Sequence, residues 1–318
     1  DGQTDSDEAC TAMAGLGDVN GDGRSDLLVG APFADDGVLL QGRAYVVMGK
    51  TDSATVLLNN VAAGMGGYAL DGEVAGDFLG QAVAGPGDVD GDGYADLAIG
   101  APNVDAPGPF AGRGYVAFGK QSGAVQPLAD LTTGLGGYRL VAEATQDQAG
   151  WSTARAGDVD GDGFADLVIS ANRYNGPAGP DAGRSYVVMG GNYRGSLTHL
   201  GLATDDVIVG TAGMDFIVSG AGADEVHGAG GSDVIYTGSG DDRLGIAEGQ
   251  FFRIDGGSGI DTLAFDDADV QLYLEVIPDV ALRNIEVFDI TGEGDNLLEF
   301  SLRDLRAMVG PSRTLRVV

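Results

Sequence analysis

Short apolar runs closed by glycine fill the first half of the chain, and they recur. LLVGAPFAD (Leu27 to Asp35), LAIGAPNVD (Leu97 to Asp105) and LVISANRYN (Leu167 to Asn175) begin 70 residues apart. GRAYVVMGK from Gly42, GRGYVAFGK from Gly112 and GRSYVVMGG from Gly183 form a second series, and GMGGYAL from Gly64 with GLGGYRL from Gly134 a third. With a run such as GQAVAGP from Gly80, each repeat predicts four short strands, the content of one propeller blade. Glycine or proline interrupts almost every ten-residue window, which leaves no room for an amphipathic helix. The expected class is all-β, with three blades over residues 1–195.

Past residue 196 the period shortens to nine. Asp206, Asp215, Asp224, Asp233 and Asp242 are evenly spaced, and Ile208, Ile217, Val226, Ile235 and Leu244 each follow by two positions. One apolar residue per nine, between glycine-rich turns, resembles the RTX nonapeptide repeat, which implies a parallel β-roll or β-solenoid over residues 196–264. Residues 246–255 break the spacing and read as a ten-residue insertion, after which GGSGIDTLA restores it with Asp261 and Leu263. Over residues 265–318, VQLYLEV, NIEVFDI and NLLEFSL predict further strands, which resemble the β-solenoid extension of such repeat proteins, and LRDLRAM (Leu302 to Met308) one helical piece.

Between the first and second strand of each blade lies an acidic loop: DVNGDGRSD from Asp18, DVDGDGYAD from Asp88 and DVDGDGFAD from Asp158. Acidic or amide oxygens at positions 1, 3, 5 and 9, with glycine at 4 and 6, bring hard donors together on a tightly turned backbone, which suits calcium. The expected ligands are the side chains of Asp18, Asn20, Asp22 and Asp26 with the Arg24 carbonyl; of Asp88, Asp90, Asp92 and Asp96 with the Tyr94 carbonyl; and of Asp158, Asp160, Asp162 and Asp166 with the Phe164 carbonyl. An EF-hand would place a bidentate Glu at position 12, where this chain has Val29, Ile99 and Ile169.

Charge sharpens this picture. Forty-eight acidic against 17 basic residues give a net charge of −31, which repels nucleic acid and anionic membrane and attracts divalent cations. The one cysteine, Cys10, forms no internal disulfide and reads as a small buried residue, so metal is the expected source of extra stability. No apolar stretch is long enough for a transmembrane helix. His199 and His227 stand in no nucleophile or zinc pattern, GYVAFGKQ lacks the Ser or Thr of a P-loop, and the carboxylates are absorbed by metal, so no enzyme is expected. Arg43, Arg113 and Arg184 recur at one blade position and are expected to cover neighbouring strands, with Trp151 in the core.

Two families are resembled. Phe78-Leu79-Gly80 with Gly100-Ala101-Pro102 around the acidic loop, Gly30-Ala31-Pro32 in the first repeat, and Gly150-Trp151 with Ser170-Ala171-Asn172 in the third are similar to the FG-GAP repeats of integrin α-chain propellers and bacterial surface proteins. AGGSDVIY (Ala229 to Tyr236) resembles the RTX nonapeptide of large secreted bacterial adhesins. The second resemblance implies calcium between Asp206, Asp224 and Asp242 on one side and between Asp215 and Asp233 on the other, with Asp261 a further ligand after the insertion and the poorest turn at Gly201 to Val209. Together they imply a calcium-binding, non-catalytic segment of a secreted bacterial surface protein exported by type I secretion. Its role would be cell adhesion or extracellular structure, with a protein or glycan ligand or neighbouring subunits as partners. Two alternatives stand beside this: an accessory region of a secreted RTX enzyme, and a structural subunit docking through an incomplete propeller. The ring of blades is expected to need sequence upstream of Asp1.

Overall fold

A computed structural model describes residues 7–35, 38–121, 127–128, 131, 136–193, 195–301, 304 and 315–318. The chain falls into two units, residues 1–89, 94–157 and 165–190 in one, and residues 90–93, 158–164 and 191–318 in the other.

The first unit holds three antiparallel sheets. β1 (Ala12–Gly17), β2 (Asp26–Ala31), β3 (Arg43–Val47) and β4 (Gly67–Asp71) pair in that order, with α1 (Leu58–Ala62) between β3 and β4 in sequence. β5 (Ala82–Ala84), β6 (Leu97–Ala101), β7 (Arg113–Ala117) and β8 (Gly137–Val141) repeat the order. β9 (Ala149–Gly157), β10 (Asp166–Ala171) and β11 (Arg184–Val188) form a third sheet, three-stranded among the described residues. The expected blades are therefore present. Leu28, Val46 and Leu70 of the first meet Leu97, Ile99 and Tyr115 of the second in one cluster, while Ala98, Val116 and Phe118 of the second meet Leu167 and Ile169 of the third in another.

Blades are joined where glycines let backbones touch. A Cβ on Gly30 would stand 2.0 Å from the Gly80 carbonyl oxygen, and one on Gly100 1.9 Å from that of Gly150. Parallel bridges Gly42↔Leu79 and Gly112↔Ala149 run alongside. Charge adds a clamp, since Arg113 donates to Glu73 at 2.6 Å and Arg184 to Glu143 at 3.0 Å, each carboxylate coming from the preceding blade. Arg43 pairs with Asp71 of its own blade. Arg113 and Arg184 thus bridge from their strands to Glu73 and Glu143, acidic residues 70 apart that the motifs alone did not single out.

Two expectations are corrected here. Gln148 (φ 53°), not Trp151, occupies the place of Phe78 (φ 58°), and Trp151 is 43% exposed. Cys10 is exposed and holds φ 74°, in register with Gly80 (φ 87°) and Gly150 (φ 84°), so it sits where the other blades use glycine. A side chain in the left-handed region costs roughly 1–2 kcal/mol. Cys10→Gly should therefore raise stability by about 1 kcal/mol after the entropic cost of glycine. Urea melts compare it with Cys10→Ala, which keeps the Cβ and should stay within a few tenths of wild type.

The second unit is a stack of parallel rungs. β12 (His199–Leu200), β14 (Phe216–Val218), β16 (Val234–Tyr236), β18 (Arg253–Asp255) and β21 (Leu282–Arg283) make one sheet. β13 (Val207–Val209), β15 (Glu225–His227), β17 (Arg243–Ile246), β19 (Thr262–Phe265), β22 (Val287–Asp289) and β24 (Arg316–Val317) make the other, and β20 (Gln271–Tyr273) pairs with β23 (Leu297–Glu299). Ile217, Val226, Ile235, Leu244, Ile254, Leu263 and Phe288 close the core between the sheets with no exposed surface. The supposed insertion at 246–255 is itself a rung: Ile235 pairs with Ile254, and Phe252 stands two positions before it where the other turns have Asp. Its turn has no glycine pair and no aspartate at that position, which hid it. The piece expected to be helical, LRDLRAM, lies outside the described residues except for Asp304.

Candidate metal centres

Each acidic loop leaves one strand and enters the next through a ring of backbone hydrogen bonds. In the first, Asp18 Oδ1 accepts the N–H groups of Gly21 (2.7 Å) and Asp22 (3.1 Å), and Oδ2 that of Gly23 (2.7 Å). Asp158 repeats this with Gly161 (2.7 Å), Asp162 (3.1 Å) and Gly163 (2.9 Å). The ninth position closes the loop, as Asp26 Oδ2 accepts from Val19 at 2.9 Å and Oδ1 from Gly49 at 2.7 Å. Asp96 does the same with Val89 (2.6 Å) and Gly119 (2.8 Å), and Asp166 accepts from Gly190 (2.7 Å).

That folding brings Asp88, Asp90 and Asp96 together with one oxygen of each within 4.8 Å of the others, and likewise Asp158, Asp160 and Asp166. Positions 1, 3 and 9 converge; the fifth-position Asp92 and Asp162 are not part of either group. In the first loop position 3 is Asn20, whose Oδ1 accepts from the Asp22 N–H at 3.1 Å, and Asp22 pairs with the Arg24 side chain at 3.1 Å. Carboxylates at this spacing repel by roughly 1–4 kcal/mol per pair. Burial pushes Asp26 up to about 6, with Asp18 and Asp22 adding to it against the pull of its backbone donors.

In the roll the carboxylates form a row along one edge. Asp206 N–H donates to Asp224 Oδ1 (2.9 Å), Asp224 to Asp242 (2.8 Å), Asp242 to Asp261 (3.0 Å), and Asp261 N–H to Glu286 Oε2 (3.1 Å). On the other edge Asp215 donates to Asp233 Oδ1 at 3.0 Å. Oδ1 is thereby committed to the stack. The second oxygens divide by position. Asp206 Oδ2 accepts from Leu202 N–H (2.6 Å) and Asp215 Oδ2 from the Thr211 N–H (2.6 Å) and hydroxyl (2.9 Å). Asp224, Asp242 and Asp261 are at most 3% exposed, and their Oδ2 atoms are buried with no hydrogen-bond partner.

A buried anionic oxygen without a donor is costly, and a hard divalent cation is what this oxygen-only donor set fits. Burial, reinforced by neighbouring carboxylates, pushes Asp233 and Asp242 up to about 6 and Asp261 to about 8. Burial works the same way at Asp215, yet its Thr211 donors hold it below the usual carboxylate value. The turns nearest Gly201 thus satisfy their own carboxylates, while those deeper in the stack do not. Sequence reading found the aspartates but not Glu286, whose short turn carries no glycine signal.

FG-GAP repeats match residues 12–47, 80–117 and 149–188, and the RTX calcium-binding nonapeptide repeat matches residues 200–233 and 209–244. Among curated proteins, integrin alpha-4 of Xenopus laevis is 34% identical over 155 residues, 48% of this chain and 13% of its own length. Phosphatidylinositol-glycan-specific phospholipase D of Bos taurus is 33% identical over 184 residues, 56% of this chain and 20% of its own. Integrin alpha-IIb of Homo sapiens is 35% identical over 162 residues, 48% and 14% respectively. The chain therefore spans a fifth or less of the length of these relatives.

Proposed function

Because the chain is built from FG-GAP repeats followed by RTX calcium-binding nonapeptide repeats, we propose that it is a non-catalytic, calcium-stiffened segment of a large secreted bacterial surface protein, serving cell adhesion or extracellular structure. The observation that carries this reading is the pairing of two unrelated repeat types whose carboxylates converge within 4.8 Å in the second and third blade loops and, at Asp224, Asp242 and Asp261 of the roll, each leave one buried oxygen without a donor. Both want the same ion. Extracellular calcium modules bind with dissociation constants of about 10⁻⁴ to 10⁻³ M, so millimolar calcium contributes about 1 kcal/mol per site. Several such sites rival the whole stability of a domain, roughly 5–15 kcal/mol. At the far lower calcium of a cytoplasm the acidic turns repel one another and the roll stays open, a state suited to type I secretion.

Adhesion is supported by the integrin α relatives, which match the blade half of this chain. A second reading, an accessory region of a secreted enzyme, is favoured by the phospholipase D relatives, which match 56% of this chain. A third, docking of a partner on the last blade, is favoured by Val187 and Met189, 48% and 40% exposed where Val116 and Phe118 of the preceding blade are buried. Beads coated with the purified chain, presented to arrays of glycans and matrix proteins, separate these readings. Retention in millimolar calcium and release by chelator is the expected result. Retention nowhere contradicts adhesion, and calcium-dependent binding to glycosyl-phosphatidylinositol vesicles without hydrolysis would favour the second reading.

A further inference from the structure

The carboxylate row does not stop where the nonapeptides stop. The matched repeats end at residue 244, yet the N–H donation that links one rung to the next continues from Asp242 to Asp261 and from Asp261 to Glu286, at 3.0 and 3.1 Å. Glu286 is 8% exposed, and Phe288, two positions later, is fully buried in the core as Leu263 is after Asp261. Glu286 thus occupies the rung position of an aspartate in a stretch, Arg283-Asn284-Ile285-Glu286, that has no glycine. The exchange of Asp for Glu accompanies a shorter turn. Gly256 to Asp261 connect β18 to β19, whereas only Asn284 to Glu286 connect β21 to β22, and the Glu286 carboxylate still reaches the Asp261 N–H at 3.1 Å.

Oxygens gather beside this turn. Asp261 Oδ2 is buried without a hydrogen-bond partner, on a residue with no exposed surface. Asn284, at φ 52° and tied by its side-chain amide to Asp255 Oδ1 at 2.6 Å, turns its carbonyl toward Gly256. A Cβ on Gly256 would stand 2.2 Å from that carbonyl oxygen and 2.7 Å from Asp261 Oδ2, so the two oxygens face one point. Glu286 brings a second carboxylate to the same rung.

We propose that a calcium ion is held between the Gly256–Asp261 turn and Glu286, with Asp261, Glu286 and the Asn284 carbonyl among its ligands, one rung beyond the nonapeptide array. This site rests on the calcium reading above. Glu286→Gln keeps the acceptor for the Asp261 N–H and removes the charge. Calcium per chain, counted by equilibrium dialysis and elemental analysis of the full chain, should fall by one ion, with the far-ultraviolet circular dichroism in calcium unchanged. An unaltered count in Glu286→Gln, with calcium bound elsewhere, overturns the site. No calcium on the wild-type chain overturns the broader reading as well. If Glu286→Gln fails to fold, Glu286→Asp decides: one ion should bind at least tenfold more weakly, and wild-type affinity for every ion would refute the assignment.

Discussion

Gly100→Ala should destabilise the first unit by about 3 kcal/mol or more, a large loss for adding one methyl group. The added Cβ would lie 1.9 Å from the Gly150 carbonyl oxygen, and neither side can yield. Gly100 is inside β6, paired with Ala82 and Gly114. Gly150 is held by its own close approach to the Arg113 carbonyl, 2.2 Å from where its Cβ would be, and by the neighbouring Ala149 N–H bond to Ala111 at 2.9 Å. To admit the methyl, β6 and β9 must part, opening the cluster of Ala98, Val116, Leu167 and Ile169. Gly15→Ala is the control, because nothing lies within 4 Å of its Cβ position, and it should stay within about 0.5 kcal/mol of wild type. Urea unfolding of both variants in calcium measures the difference. Equal midpoints would mean that the blades are not joined through this contact.

Asp242→Asn should change sign with calcium. In millimolar calcium it removes a charge from the middle of the row, next to both Asp224 and Asp261, and the melting temperature should drop by roughly 10 °C. In excess chelator at pH 7.5 the same variant should melt higher than wild type. Asp242 is 2% exposed with its Oδ2 unpartnered, and Asn supplies the same Oδ1 acceptor to Asp224 N–H without a buried charge. The pH dependence follows from the direction of the shift. A carboxyl raised from 3.8 to about 6 in the folded chain stabilises it fully below 3.8, and that contribution is lost as pH rises through about 6. Metal-free wild type should therefore gain stability on acidification from pH 7.5 to 5, and the variant should gain less. Differential scanning fluorimetry across pH, with and without chelator, reads both. A variant less stable than wild type in chelator would assign Asp242 a purely packing role.

Periodicity made much of this legible from sequence. The 70-residue spacing located the blades, and the nine-residue spacing located the aspartates and the core residues Ile217, Val226, Ile235 and Leu244. What escaped was encoded in backbone shape rather than residue type. Glu8, Phe78 and Gln148 share one left-handed conformation, and Cys10, Gly80 and Gly150 another, but no letter is common to either set. Phe252 and Glu286 hold rung positions that strand pairing and hydrogen bonds reveal and composition conceals. Trp151 misled because an aromatic beside a glycine imitates the Phe-x-Gly motif one register away. In the blade loops the residue types alone suggested four converging side chains. The fold brings positions 1, 3 and 9 together in the second and third loops, and backbone N–H groups of Gly119 and Gly190, beyond β7 and β11, hold Asp96 and Asp166 in place.

In the proposed function calcium completes the fold, clamping carboxylates whose burial as anions is costly without it. Scanning calorimetry of one preparation at pH 7.5, in millimolar calcium and again in excess chelator, tests it most directly. The transition of the roll should disappear or fall by tens of degrees in chelator and return when calcium is restored. Superimposable transitions in the two conditions would contradict it.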